Sequence, residues 1–356
     1  MKAYPFDNLV FKGGGVLGIA YLGSMKALDE AGFLPGIKRV SGASAGAITA
    51  LVTSFKLNAS QMKAIADSLD FSKVPEKENI KHDLFSKLFN SKDLPFDDVY
   101  CINRLFHKYG WYSSNYFYKW LMQMVQDQFD KVDGLDDKIK NKKGQQTFSD
   151  FQKAGFSDLY ISVTNVTKHR NEIFSIETKP DFEVAKAVRM SMSIPLFFET
   201  VEQDGDHYTD GGTVNNYPIE VFDNEAYVDD PAFFTDQINM KTLGCHLFTP
   251  PSHSEKAQKK DNLIHYIENL FETLLQVQTI DFENSQNIKD RSVNINDHGI
   301  SAVDFDIVVD KGDPLTKREN PSDYDKLYIS GYDSMKSYLN NHSSIIQKYM
   351  SLVDQH

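Results

Sequence analysis

A chain of 356 residues with 41% hydrophobic content is long enough for one large domain or two ordinary ones, and apolar enough for a substantial core. Its formal net charge of −12 excludes broad electrostatic binding to nucleic acid or anionic bilayers, leaving only local basic clusters for that purpose. The two cysteines, Cys101 and Cys245, are too few and too far apart for a disulfide framework or a cysteine zinc site.

The opening "MKAYPFDNLVFKGGG" has no apolar stretch of signal-peptide length, and no later run approaches the length of a membrane-spanning helix. Leu9 to Phe11 reads as a short buried strand entering a glycine turn. A helix follows over about Val16 to Ala31, with Leu17, Tyr21, Met25 and Leu28 at helical spacing and Gly32 as its stop. "IKRV" is a second strand, and "AGAITALVTSFKL" a second, strongly apolar helix. Strand, helix, strand, helix is the opening of an α/β domain with a parallel sheet.

Residues 70–146 break the pattern. They are polar, interrupted by Pro75 and Pro95, then aromatic in "YGWYSSNYFYKWLMQMV", and end in the basic run Lys138, Lys140, Lys142 and Lys143. This stretch reads as a helical insertion. Its rings at 109–120 suit either a lid at a lipid boundary or packing onto the core, and packing is the commoner fate of such rings. Strand patterns return in "DLYISVTNVT" and "EIFSIET". "FETVEQDGDHYTDGG" reads as two strands joined by the turn dipeptide Asp204-Gly205. "NLIHYIENLFETLLQV" places Leu263, Ile267, Leu270 and Leu274 on a helix whose Glu268 and Glu272 suit a packed surface helix better than an anionic-membrane anchor. "SVNINDHGISAVDFDI" gives a late strand and loop, and "YISGYDSMKSYL" a closing helix.

"GGGVLG" (13–18) matches the dinucleotide fingerprint G-x-G-x-x-G, but the acid expected about 20 residues later is absent. Its other reading is an oxyanion hole, in which glycine N–H groups point into a site at a helix N-terminus. "GASAG" is G-x-S-x-G, a nucleophile elbow: Gly42 and Gly46 flank Ser44 because bulk on either side would collide in a tight strand-to-helix turn. The plainer reading is a helix-capping serine. Ala47 excludes a Ser-x-x-Lys arrangement at Ser44. Of the ten histidines, His298 could hold a late triad position, although "NDHGIS" reads equally well as a turn. In "TDGGTVNNYP", Asp210 ends a hairpin strand, and Gly211 and Gly212 let the chain turn sharply beside it. Partial burial beside a serine would raise that carboxylate toward working pH. The "DFDIVVDKGD" acids (304–313) lack the spacing of a calcium loop and read as a solvated strand and loop.

The order of these pieces resembles the patatin-like phospholipase family. "TFSDFQKAGFSDLYISVTNV", "PDFEVAKAVRMSMSIPLFFETV", "DGGTVNNYP" and "GISAVDFDI" are similar to its blocks and stand in its order, across about residues 7–340. The resemblance implies a three-layer α/β/α fold with a central, mostly parallel sheet. It further implies a single domain over 1–356, carrying the insertion at about 70–146 and a C-terminal helical part at about 322–352. It implies a Ser44–Asp210 dyad without histidine, and an oxyanion hole from Gly13, Gly14 and Gly15, chiefly through the N–H groups of Gly14 and Gly15. The expected activity is hydrolysis of acyl lipids of the phospholipase A or lysophospholipase type, without cofactor or metal and without nucleic acid. An esterase acting on neutral lipids and a catalytically silent lipid-binding module are the alternatives. A cytoplasmic location with peripheral membrane contact is expected. Delivery as an effector without a signal peptide is equally compatible, and the need for a protein activator stays open. One position departs from the family: Leu17 stands where an Arg or Lys usually precedes the last glycine of the motif.

Overall fold

Strand β1 (Asn8–Phe11) is buried along its whole length, as expected of a strand with sheet on both edges and layers on both faces. The computed structural model describes residues 5–76, 96–250, 263–309, 311–343 and 346–347. After β1 come α1 (Ile19–Glu30), β2 (Arg39–Ala43), α2 (Ala45–Ser54), α3 (Ala59–Ala66), α4 (Phe96–Lys108), β3 (Gly110–Tyr112), α5 (Asn115–Phe129), α6 (Asp137–Lys140) and α7 (Phe148–Lys153). The middle of the chain gives β4 (Asp158–Asn165), β5 (Arg170–Phe174), α8 (Val184–Ser191), β6 (Leu196–Phe198), β7 (Val201–Gln203) and β8 (Asp206–Asp210). The rest gives β9 (Phe234–Thr235), β10 (Ile238–Asn239), β11 (Thr242–Phe248), α9 (Leu263–Asn284), α10 (Gln286–Asp290), β12 (Ser292–Asn296) and α11 (Asp323–Asn341). The expected break at Pro95, the start of the α9 pattern at Asn262 and residues 344–345 and 348–352 of the C-terminal part lie outside the described residues.

The main sheet runs β12-β11-β1-β2-β4-β8-β7, with β5 also paired to β4. The pairs from β12 to β4 are parallel; those of β4 with β5 and β8, and of β7 with β8, are antiparallel. Alternation decides what each face buries. Leu9, Phe11, Leu159 and Ile161 join the large core. Val10 and Tyr160 turn the other way, into a smaller cluster with Ile219 and Phe222. Both faces are thus covered, the second partly by single 3-10 turns rather than by long helices. On the sheet's flank α1 packs along α11 so closely that a Cβ on Gly23 would stand 1.9 Å from the Tyr328 carbonyl oxygen.

Local chemistry explains the boundaries. A 3-10 turn over Gly15–Gly18 precedes α1, so the helix begins later than its apolar spacing suggests; Gly15 has φ +55° and cannot start an α-helix. β2 runs on through Ser41, Gly42 and Ala43, beyond "IKRV", because these small residues pair with β4. Asp204 and Gly205 both have positive φ, as the turn joining β7 to β8 requires. Within the insertion the rings mostly pack inward. Phe117 is buried and stacks on Trp120, Tyr112 meets Phe197, and Tyr118 donates to Glu183, while Tyr109 is exposed. Among the described residues, no helix is long and apolar enough to cross a membrane. Cys101 and Cys245 are buried, and neither takes part in a disulfide.

Candidate active site

The register of β4 brings two distant segments end to end. β2 runs parallel to β4 and stops with Ala43 opposite Ser162. β8 runs antiparallel and stops with Asp210 opposite Val163. Since β5 occupies the other edge of β4 over Ile161 to Asn165, β2 and β8 share one edge and converge from opposite directions. Ser44 follows the end of one strand, and Asp210 is the end of the other.

Ser44 has φ +52° and ψ −125°, a strained conformation for a residue with a side chain. The turn survives because its surroundings hold it. The Ser44 N–H donates to Ser191 Oγ at 2.9 Å, and the Ser191 hydroxyl donates to the Ser162 carbonyl at 2.6 Å. A Cβ on Gly42 would fall 2.2 Å from the Gly46 carbonyl oxygen, and one on Gly46 would fall 2.2 Å from that of Phe11. Although Ser44 occupies the N-cap of α2, its side chain makes no capping hydrogen bond. The capping role that would account for a serine here is not exercised, and Ser44 instead lines a cleft.

Asp210 is wholly buried. Its N–H donates to the Ser193 carbonyl at 2.8 Å, and Oδ1 accepts from the Gly212 N–H at 2.7 Å. Oδ2 is buried without a partner of full hydrogen-bond geometry. Burial pushes the carboxyl up, hydrogen bonding to the Ser44 hydroxyl and the Gly212 N–H pulls it partly back, and the balance leaves it at about 7. The Ser44 hydroxyl is therefore the side-chain group that bears on this carboxylate, in a resting geometry looser than a formed bond.

The glycine loop lies against the same turn. A Cβ on Gly13 would be 3.0 Å from Ser44 Cβ and 2.2 Å from Asn216 Oδ1. Gly13 donates its N–H to the Asn216 carbonyl at 3.0 Å, so of the three glycines expected to serve as donors it is already spent. The N–H groups of Gly14 and Gly15 have no acceptor among the described residues. Gly15 is sterically obligatory, since a Cβ there would sit 1.9 Å from the Ala302 carbonyl oxygen.

Leu17 is 6% exposed and belongs to the core. Lys12 does not supply a cation in its place. Its ammonium is buried, donates to the Leu247 carbonyl at 2.9 Å, and is pulled down to about 8 by burial despite the nearby Asp297. His298 lies exposed in a turn with φ +59°, and among the described residues no histidine lines the cleft or acts on Asp210. Among the described residues no group of three or more His, Cys, Asp or Glu is placed to hold a metal ion.

The cleft at Ser44 is apolar, walled by Val16, Ile48, Leu69, Phe117, Phe198 and Phe305 among others. Its open volume of about 40 Å³ holds about three water molecules, so an acyl chain must push side chains aside to enter. A roomier groove of about 540 Å³ lies elsewhere, along β5 and the β7–β8 hairpin. Lys168 and Arg170 there are paired with Asp206 and Glu172, which makes that groove a mixed-charge surface without a nucleophile.

Four supporting residues escaped sequence reasoning: Ser191, Ser193, Asn216 and Gln278. The first three sit in quoted blocks but carry no chemistry of their own. Gln278 left one usable signal, a polar residue at helical spacing with the apolar Phe271, Leu275 and Phe282.

Comparison with known proteins agrees with this architecture. A family model described as patatin-like phospholipase matches residues 9–223. The Bacillus subtilis protein YqhO is 30% identical over 223 residues, 61% of this chain and 66% of that protein. A probable lipid hydrolase, 463L of Invertebrate iridescent virus 6, is 34% identical over 85 residues, 24% of this chain and 29% of that protein. The chain thus spans less than two thirds of the length of the curated relatives it matches. Among solved structures, VipD from Legionella pneumophila superposes with a TM-score of 0.53 at 18% identity, covering 96% of this chain and 68% of that one.

Proposed function

The chain belongs to the patatin-like phospholipase family, and from that membership we propose that it is a lipid acyl hydrolase that works through Ser44 and Asp210. Asp210 takes the Ser44 proton as Oγ attacks an ester carbonyl. The N–H groups of Gly14 and Gly15, with the N-terminus of α2, hold the tetrahedral oxyanion. The alcohol or lysolipid leaves with the proton, and water then attacks the acyl-enzyme through the same base. The apolar cleft takes the acyl chain. The substrate is an ester of a membrane lipid, met by peripheral contact with its surface.

The observation that carries this reading is Asp210: a fully buried carboxyl with a proton affinity near neutrality, on which the Ser44 hydroxyl bears. A merely structural aspartate at a turn is better left solvated or paired, since burying it so raises the cost of its charge. The same observation disfavours a silent lipid-binding module. Such a module would need neither the strained serine nor two uncommitted glycine N–H groups beside it.

The test is a panel of phospholipids, lysophospholipids and neutral esters, with products identified by mass spectrometry, run on wild type and His298→Ala. Free fatty acid should be released from at least one class, and His298→Ala should stay within a few-fold of wild type. Release of no fatty acid from any class would favour the silent module. A dead but folded His298→Ala protein would make this a histidine-based hydrolase.

A further inference from the structure

Helix α9 approaches the site from outside, and one of its side chains bonds two segments of it. Ile267, Phe271 and Phe282 on its inner face are buried, and Phe282 stacks on His246 with ring centroids 3.7 Å apart. Leu275 meets Gly212, where an added Cβ would stand 3.1 Å from its Cδ2. On the same face the half-buried Gln278 makes two hydrogen bonds. Its Oε1 accepts from the Asn216 N–H at 2.8 Å, and its Nε2 donates to the Gly212 carbonyl at 2.6 Å. Only one orientation of the amide satisfies both, because one contact needs an acceptor and the other a donor.

One backbone partner contacts the Asp210 carboxylate directly, and the other ties down the first glycine of the glycine loop. Gly212 donates its N–H to Asp210 Oδ1. Asn216 accepts the Gly13 N–H with its carbonyl and donates to the Gly13 carbonyl through Nδ2 at 3.2 Å. Gly211 and Gly212 are successive glycines, and their peptide planes rotate more freely than any others unless held from outside. We propose that Gln278 is a positioning residue that holds the Asp210 loop and the glycine loop in one fixed mutual register. It touches no reacting atom. Its role rests on the reading of Ser44 and Asp210 given above. Leucine fills much of the same space but makes neither bond. Glutamate accepts from Asn216 but, when ionised, faces the Gly212 carbonyl with a second acceptor. Protonated, it can make both bonds.

The experiment is the rate of covalent labelling of Ser44 by a soluble fluorophosphonate, which is independent of lipid binding, together with kcat and KM on a soluble ester. Gln278→Leu should slow labelling by about 10- to 100-fold, in keeping with an ångström-scale misplacement. Its kcat should fall in parallel, with KM changing less than about threefold. The ratio of Gln278→Glu to wild-type labelling should rise as pH falls from 8 to 6, which a merely structural role would not produce. Val277→Ser, one position away on the exposed face, should label at the wild-type rate. If Gln278→Leu labels like wild type, or the Gln278→Glu ratio is flat with pH, the inference is wrong. The pH ratio decides the matter even if Gln278→Leu fails to fold. If Ser44→Ala still hydrolyses ester, the reading of the site fails instead; if Ser44→Ala is dead and Gln278→Leu is normal, only the role of Gln278 fails.

Discussion

Replacing Asp210 with asparagine should remove activity and add stability, and the added stability should depend on pH. The carboxyl moves from an ordinary value of 3.8 in the unfolded chain to about 7 in the fold, which disfavours its ionised form by about 4 kcal/mol. Because the folded value lies above the unfolded one, the stability Asp210 contributes is fully present below about pH 4 and is lost as pH rises through 7. Asparagine keeps an oxygen for the Gly212 N–H and carries no charge to desolvate. Relative to wild type, Asp210→Asn should gain about 3 kcal/mol between pH 5 and pH 8.5 in urea unfolding. Hydrolysis should drop by about 10³-fold or more, since the amide cannot accept the serine proton. A variant whose stability relative to wild type does not change with pH would refute the raised proton affinity. A variant that keeps its activity would refute the role of base.

Three further outcomes follow from the same geometry. The wild-type kcat/KM should fall about tenfold per pH unit below about 6, with an apparent pKa near 7 that tracks ionisation of Asp210; a flat profile between pH 5 and 8 would contradict it. Gly46→Ala should lose about 2 kcal/mol or more in urea unfolding, because its Cβ would stand 2.2 Å from the Phe11 carbonyl oxygen. Leu17→Arg should cost about 3 kcal/mol or more of stability through burial of an unpaired charge at a position only 6% exposed. Unchanged unfolding with a new preference for phosphate-bearing lipids would instead place position 17 at the head group.

Much of the site was legible because it depends on short-range sterics. Gly42, Ser44 and Gly46 declare a tight turn by what they lack, and Asp204-Gly205 fixes where the hairpin reverses and hence where β8 begins. The late start of α1 was not legible. It comes from the positive φ of Gly15, in a loop packed so tightly against the Ala302 carbonyl, from a segment nearly three hundred residues away, that only a glycine fits. The same distance hid the commitment of the Gly13 N–H, since its acceptor is a backbone carbonyl at Asn216. Leu17 stood out in the sequence as the loss of a cation, whereas packing makes it a core residue. Gln278 bonds backbone atoms 62 and 66 residues away, and no local pattern encodes such a pairing. The convergence of β2 and β8 on one edge of β4 is likewise a property of register, which the alternation of each strand suggests but does not fix.

The most direct measurement is the site of covalent modification. Intact wild-type protein treated with a fluorophosphonate and digested for mass spectrometry should carry one adduct, on the peptide containing Ser44. Ser44→Ala should carry none, while unfolding like wild type. An adduct on any other residue, or wild-type hydrolysis of lipid ester by folded Ser44→Ala, would contradict Ser44 as the nucleophile.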